Sequence, residues 1–200
     1  MLSKPQKALL FIAGSALSTW AAAHTGVESH SHPSFMTGFS HPLFGLDHLA
    51  AMMAVGVWSA LAARRAGPEL LWGPLGFAGM LLVGAVLGLQ GVVLPAVEPM
   101  IAASLLVIGL LVVSRKQLSG LAAAALVGAF AVFHGVAHGL ELAGNPSALQ
   151  TLAGMLSATA LLHLTGLAMG WKLRGANVWL ARATGVGVAV FGGALLLQLT

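Results

Sequence analysis

The sequence contains no cysteine and very little charge, and both absences narrow what the protein can be. Without cysteine the chain can form no disulfide, iron–sulfur cluster or thiolate zinc site, so any bound metal must be held by nitrogen and oxygen. Only 7% of the residues are charged, against 58% that are hydrophobic, which is too little charge to solvate the surface of a domain of this size. The composition therefore predicts an integral membrane protein.

Two further absences exclude classes of function. The chain has no Gly-x-x-x-x-Gly-Lys-[Ser/Thr] stretch, so it encodes no nucleotide-driven pump and we expect no nucleotide partner. Its basic residues lie in short runs between apolar segments and build no basic face, which argues against nucleic acid as a partner. Any transport must then be secondary or passive, or use a partner protein.

The first 40 residues divide into two parts. Residues 1–23 place two lysines before a short apolar run and end in three alanines, which is typical of a cleavable signal peptide; an uncleaved first helix is the alternative. Residues 24–40 are polar and read as an external segment without a core. After cleavage, His24 would carry a free amine beside its imidazole and could serve as an accessory metal ligand. A solvated leader that binds nothing is the other interpretation.

Residues 41–200 contain six apolar segments of about 20 residues, the length that crosses a bilayer. They predict an all-α, compact bundle of six transmembrane helices, which is the permease domain in our interpretation. The segments are approximately Pro42–Ala63, Leu70–Leu94, Pro99–Ser114, Leu118–Leu140, Ala148–Gly170 and Val178–Leu199. Glycine pairs with small-xxx-small spacing, such as Gly84/Gly88, Gly135/Gly139 and Gly166/Gly170, predict close helix contacts.

The positions of the basic residues predict the orientation. Lys and Arg of the mature chain occur only at alternate joints between segments, which the positive-inside rule assigns to the cytoplasm. We therefore expect a multi-pass protein of the bacterial inner membrane with both mature termini in the periplasm. Three segments per half would give the two halves opposite topology, so a 3+3 inverted repeat is possible.

The first segment begins with three side chains that can bind metal: His41, Asp47 and His48. We predict that Pro42 lies in the first helical turn and that His41 and His48, two turns apart, share one helix face. An ionised carboxylate at bilayer depth costs about 2.5–3.5 kcal/mol, so Asp47 indicates a functional site. A cation shared with the histidines would offset that cost.

The fourth segment carries His134, His138 and Glu141 at i, i+4 and i+7, which is one face of a helix. The predicted topology places His134 at a depth similar to that of His48. Two helices would thus present imidazole and carboxylate to each other. The alternative is two structural histidines and a Glu that is solvated at the helix end.

Two more residues are candidates with an open alternative each. His163, in the fifth segment, is a potential ligand or relay toward the cytoplasm, or a histidine that only satisfies a hydrogen bond. Glu98 opens the third segment, where a carboxylate suits the helix dipole; capping and accessory metal contact are both open. Imidazole and carboxylate without thiolate suit nickel, cobalt or zinc.

The sequence resembles the HupE/UreJ family of nickel/cobalt permeases across most of the mature chain. The resemblance implies inner-membrane uptake of Ni²⁺ or Co²⁺ for metalloenzymes, with the motif His and Asp residues needed for transport. It is carried by His41-Pro-x-x-Gly45-x-Asp47-His48, Val97-Glu98-x-x-Ile101-Ala, Phe133-His134-Gly-x-Ala-His138-Gly-x-Glu141 and Ala158-Thr159-x-x-Leu162-His163-x-x-Gly166.

Our hypothesis from the sequence is a permease rather than an enzyme, which uses no cofactor and carries Ni²⁺ or Co²⁺, with Zn²⁺ possible. The ligands would be His41, Asp47, His48, His134, His138, Glu141 and His163, with His24 and Glu98 as accessories. Because ligating imidazoles must be neutral, binding should weaken below about pH 6.5. An intramembrane zinc hydrolase is the alternative, since the same residues could bind zinc and activate water. A haem protein is less suited, because two histidines on one helix face cannot both ligate one iron axially.

Overall fold

The computed structural model describes residues 34–199, and this part of the chain consists of helices and short connections. The helices are α1 (Phe35–Phe44), α2 (Leu46–Ala62), α3 (Trp72–Leu89), α4 (Val97–Ser114), α5 (Gly120–Glu141), α6 (Ala148–Arg174) and α7 (Val178–Gln198), with a 3₁₀ turn at Pro68–Leu71 before α3. Five helices are long and apolar enough to cross a membrane, and α1 with α2 forms a sixth candidate. The predicted all-α membrane fold is confirmed. The predicted signal peptide lies outside the described residues.

The first predicted span differs from the sequence expectation, because it is broken in two. Helix α1 begins at Phe35, where the Ser34 hydroxyl accepts the N–H of Thr37, so Pro42 lies inside the helix and not in its first turn. Proline cannot donate the hydrogen bond that would continue the helical ladder, which weakens the last turn of α1. The chain then bends by 78° at Gly45 before α2. The predicted single straight helix is therefore wrong.

Close contacts between glycines and neighbouring backbones pair the helices. A Cβ at Gly84 would overlap the carbonyl of Val132, and one at Gly135 the carbonyl of Leu81, so α3 and α5 lie side by side and run in the same direction. The prediction that these glycines mark close helix contacts is confirmed.

Two further helix pairs follow the same principle. Helix α2 packs along α6 in a parallel sense through Gly56 and Gly166, and α1 packs against the start of α6 through Gly38 and Gly154. Helix α4 packs antiparallel to α7 through Gly109. Small residues allow such close approach of backbones inside a bilayer. The described part of the chain is thus built from three tightly packed helix pairs.

The core lies between α2, α3, α4 and α5. Its largest fully buried side chains include Met52, Trp58, Phe77 and Leu81. The Trp58 indole N–H donates to the carbonyl of Lys116 at 3.1 Å, which joins the end of α2 to the connection between α4 and α5. The arginine-bearing connections therefore meet at one end of the bundle, and we call this the basic end.

Candidate metal centre

Three imidazoles from three helices meet near the end of the bundle opposite the basic end. His41 from α1, His48 from α2 and His138 from α5 each offer a ring nitrogen, and these nitrogens lie within 4.8 Å of one another. Their ring centroids are 5.2 Å (His41–His48), 4.9 Å (His41–His138) and 4.8 Å (His48–His138) apart. His48 and His138 are buried. The three histidines form what we call the imidazole centre.

The bend at Gly45 explains why His41 takes part. On one straight helix, two turns would separate His41 from His48 by about 10.5 Å along the axis. The 78° bend folds α1 over the end of α2 and brings the two rings to 5.2 Å. The two histidines therefore lie close together, as expected, but because of the bend and not because they share one helix face.

Two carboxylates orient two of the three rings of the imidazole centre. The Nδ1–H of His48 donates to Asp47 Oδ1 at 2.9 Å, and the Nδ1–H of His138 donates to Glu141 Oε2 at 3.4 Å. Hydrogen bonds of this kind set the tautomer of metal-binding histidines and raise their basicity. The Nε2 atoms of both rings are thereby directed toward the shared space.

The Nε2 atoms of His48 and His138 are only 2.7 Å apart. If both Nδ1 atoms carry their hydrogens toward the carboxylates, two nitrogen lone pairs face each other at this distance. Such an arrangement is stabilised when a proton or a metal cation lies between the nitrogens. An ion with metal–nitrogen distances of about 2.0–2.1 Å would hold them about 2.9–3.4 Å apart, so the rings need to separate by only a few tenths of an ångström.

The third ring fits the same interpretation. Among the described residues, the buried Nε2 of His41 has no hydrogen-bond partner. A buried imidazole nitrogen without a partner is costly unless a ligand uses it. Three nitrogens on a concave surface, with carboxylates behind two of them, make a donor set that suits divalent nickel, cobalt or zinc.

His134 lies beside the imidazole centre but is oriented differently. Its ring is 5.3 Å from that of His48, and its Nε2 lies 3.2 Å from the Ser104 hydroxyl. Since Ser104 donates its own hydrogen to the carbonyl of Ile101 at 2.6 Å, it accepts from His134. Ser104 was not predicted as a site residue; the only signal was a single hydroxyl within an apolar segment.

The remaining predicted site residues lie at other depths. His163 on α6 is buried and packs edge-on against the Phe77 ring at 5.3 Å, closer to the basic end. Glu98 is exposed in the first turn of α4 and does not belong to the imidazole centre. His24 lies outside the described residues.

Comparison with known proteins identifies the family. The model of the HupE / UreJ protein family matches residues 12–195. The chain belongs to the HupE/UreJ family. Among its HupE/UreJ relatives is Protein HupE of Rhizobium leguminosarum bv. viciae, 38% identical over 196 residues that cover 97% of this chain and 99% of the relative. No solved structure matches the chain. The resemblance seen in the sequence is confirmed, and the imidazole centre is built from two of the motifs that carry it.

Proposed function

We propose that this chain is a secondary or passive permease that takes up Ni²⁺ or Co²⁺ from the periplasm, with Zn²⁺ as a further possible cargo. The observation that carries the proposal is the approach of two histidine Nε2 atoms to 2.7 Å, each ring backed by a carboxylate. Together with the Nε2 of His41, they present three nitrogen donors to one divalent ion. Membership of the HupE/UreJ family agrees with this chemistry and favours transport over the zinc hydrolase.

The carboxylates act in this proposal mainly through the histidines. Asp47 and Glu141 each contact an Nδ1, so they orient the rings and balance the charge of the ion. His134 receives the ion next and His163 marks the path toward the basic end. Glu98, exposed near the start of α4, and His24 would collect metal at the periplasmic surface.

The proposed orientation in the membrane follows from the positions of the basic residues. The basic end carries Arg64, Arg65, Arg115, Lys116, Lys172 and Arg174, which favours the cytoplasmic side and leaves both mature termini in the periplasm.

A two-fold axis in the membrane plane would exchange α1–α2 with α5, α3 with α6 and α4 with α7. It would convert the α2·α6 pair into the α5·α3 pair, both parallel, and map the antiparallel α4·α7 pair onto itself. This agreement supports a 3+3 inverted repeat.

Uptake of radioactive nickel or cobalt by cells tests the function directly. Cells that express the wild type should accumulate the metal above a vector control, and His48→Ala should reduce uptake to the vector level. His32→Ala, which removes a histidine that we do not assign to the site, is the matched control and should transport normally. Equal uptake by the wild type and His48→Ala, at equal protein levels in the membrane, would refute the proposed site.

A further inference from the structure

The aromatic ring of Phe77 lies on the line of histidines that leaves the imidazole centre. His48 of that centre contacts His134, and the ring of His134 packs against Phe77 with centroids 5.7 Å apart. Phe77 also packs against His163, with ring centroids 5.3 Å apart and an interplanar angle of 85°. Phe77 is only 2% exposed. An apolar ring thus bridges two imidazoles that belong to different helices and different depths.

A cavity lies at the basic end, and its lining reaches α3 one helical turn from Phe77. It has a volume of about 680 Å³, and its lining includes Arg64, Arg65, Glu69 and Gln117. Ser59 and Gly73 also line it, and Gly73 lies one helical turn before Phe77 on the same face of α3. A polar space of this size can hold several waters and therefore a hydrated ion.

A hydroxyl in the cavity lining and an imidazole packed against Phe77 each carry a buried polar atom. The Ser59 hydroxyl is buried and has no hydrogen-bond partner in the described part of the chain, and the same holds for the Nε2 of His163. The absence of a side chain at Gly73 leaves room at the Ser59 oxygen, which lies 2.7 Å from where a Cβ would stand. Buried polar atoms without partners are costly and are usually explained by a ligand or water.

We propose that Phe77 is the gate of the metal path, closed in this structure, between the imidazole centre and the cavity at the basic end. The inference rests on the proposed function and adds the residue that controls passage. The Phe77 ring offers no lone pair to a divalent ion and excludes the water that would accompany it. When the ring turns aside, an ion at His134 gains access to His163, to the Ser59 hydroxyl and then to the water of the cavity. Phe77 sets the rate of passage and leaves the affinity of the imidazole centre unchanged.

The experiment compares metal binding and metal flux for the same variants. The purified full-length chain is titrated with Co²⁺, followed by the visible absorption of the bound ion, and is reconstituted into liposomes that contain a Co²⁺-sensitive dye. For Phe77→Ala we expect Co²⁺ influx at least three-fold faster than the wild type, with a Kd changed by less than two-fold. Retention of the dye by the same liposomes shows that a faster signal is not a general leak.

Leu81→Ala is the matched control. Leu81 lies one turn further along α3 and is as deeply buried as Phe77, so its truncation removes comparable packing without opening the proposed gate. It should not accelerate influx. The gate would be overturned if influx through Phe77→Ala were no faster than influx through Leu81→Ala, which includes the case in which both variants are accelerated equally.

A second variant covers the case in which Phe77→Ala does not fold. Phe77→Leu keeps most of the packing but shortens the barrier, so its influx should still exceed that of the wild type; equal influx would overturn the gate. Failure of the proposed function has a different signature, because the wild type itself would then neither bind Co²⁺ nor carry it into liposomes.

Discussion

Replacement of Asp47 by Asn tests whether the carboxylate orients His48 or binds the metal itself. In the structure Asp47 Oδ1 accepts the Nδ1–H of His48 at 2.9 Å, and both side chains are buried. Asn keeps the shape and an accepting oxygen but loses the negative charge that would balance the charge of a bound ion. Loss of such an outer partner typically weakens metal binding about 10–100-fold. We therefore expect the Co²⁺ Kd of Asp47→Asn to rise by this factor, which corresponds to about 1.4–2.8 kcal/mol.

Glu141→Gln provides the comparison at the other ring. Glu141 contacts His138 at 3.4 Å, and its side chain is 50% exposed, so solvent screens its charge. We expect its Kd to rise less than about ten-fold, the lower bound for such partners, and less than that of Asp47→Asn. Titration of the purified variants with Co²⁺, with His48→Ala as the reference for a lost ligand, measures all three values.

Two outcomes of these titrations would refute the reasoning. If Asp47→Asn binds as poorly as His48→Ala, Asp47 is itself a ligand and the orienting role is wrong. If Asp47→Asn binds as tightly as the wild type, the negative charge of Asp47 contributes nothing to the affinity.

Two further predictions concern pH and helix packing. Co²⁺ binding should weaken as the pH falls from about 7.5 to about 4, because protons compete for the imidazole nitrogens; equal Kd values at both pH values would contradict histidine ligation. Gly135→Ala should lower the stability by about 1–3 kcal/mol, since its Cβ would overlap the Leu81 carbonyl. Gly79→Ala, whose Cβ meets nothing within 4 Å, should not. Thermal unfolding in detergent measures both, and equal losses would refute the packing argument.

Most of the helices could be predicted from the sequence because each is an uninterrupted apolar run between charged or turn-forming residues. The break between α1 and α2 could not. Residues 35–40 include polar side chains and a glycine, and they lack the apolar pattern of a span. Tertiary contacts place them in a helix, because Gly38 packs directly on the backbone of Thr151 and Gly154 on that of Phe35.

The proximity of His48 and His138 could be predicted from the sequence, but the orientation of their rings could not. Helix periodicity and topology were enough to place His48 and His138 at similar depths on facing helices. Which ring nitrogen faces the centre depends on the hydrogen bonds from Asp47 and Glu141, and these depend on rotamers that spacing does not determine. Phe77 could not be predicted as a site residue, since nothing in an apolar segment distinguishes a phenylalanine that contacts two imidazoles.

The glycine-packed helix pairs have a consequence for how a bound ion can be released. Because backbones touch directly within a pair, sliding one helix along its partner would produce clashes, so we expect each pair to move as one body. His41 and His48 belong to the body of α1, α2 and α6, whereas His138 belongs to that of α3 and α5. The imidazole centre thus lies between two bodies and takes its histidines from both. A shift of one body against the other by about an ångström would take His138 out of reach of an ion that needs metal–nitrogen distances of about 2.0–2.1 Å. The affinity for metal would therefore depend on the distance between these two bodies.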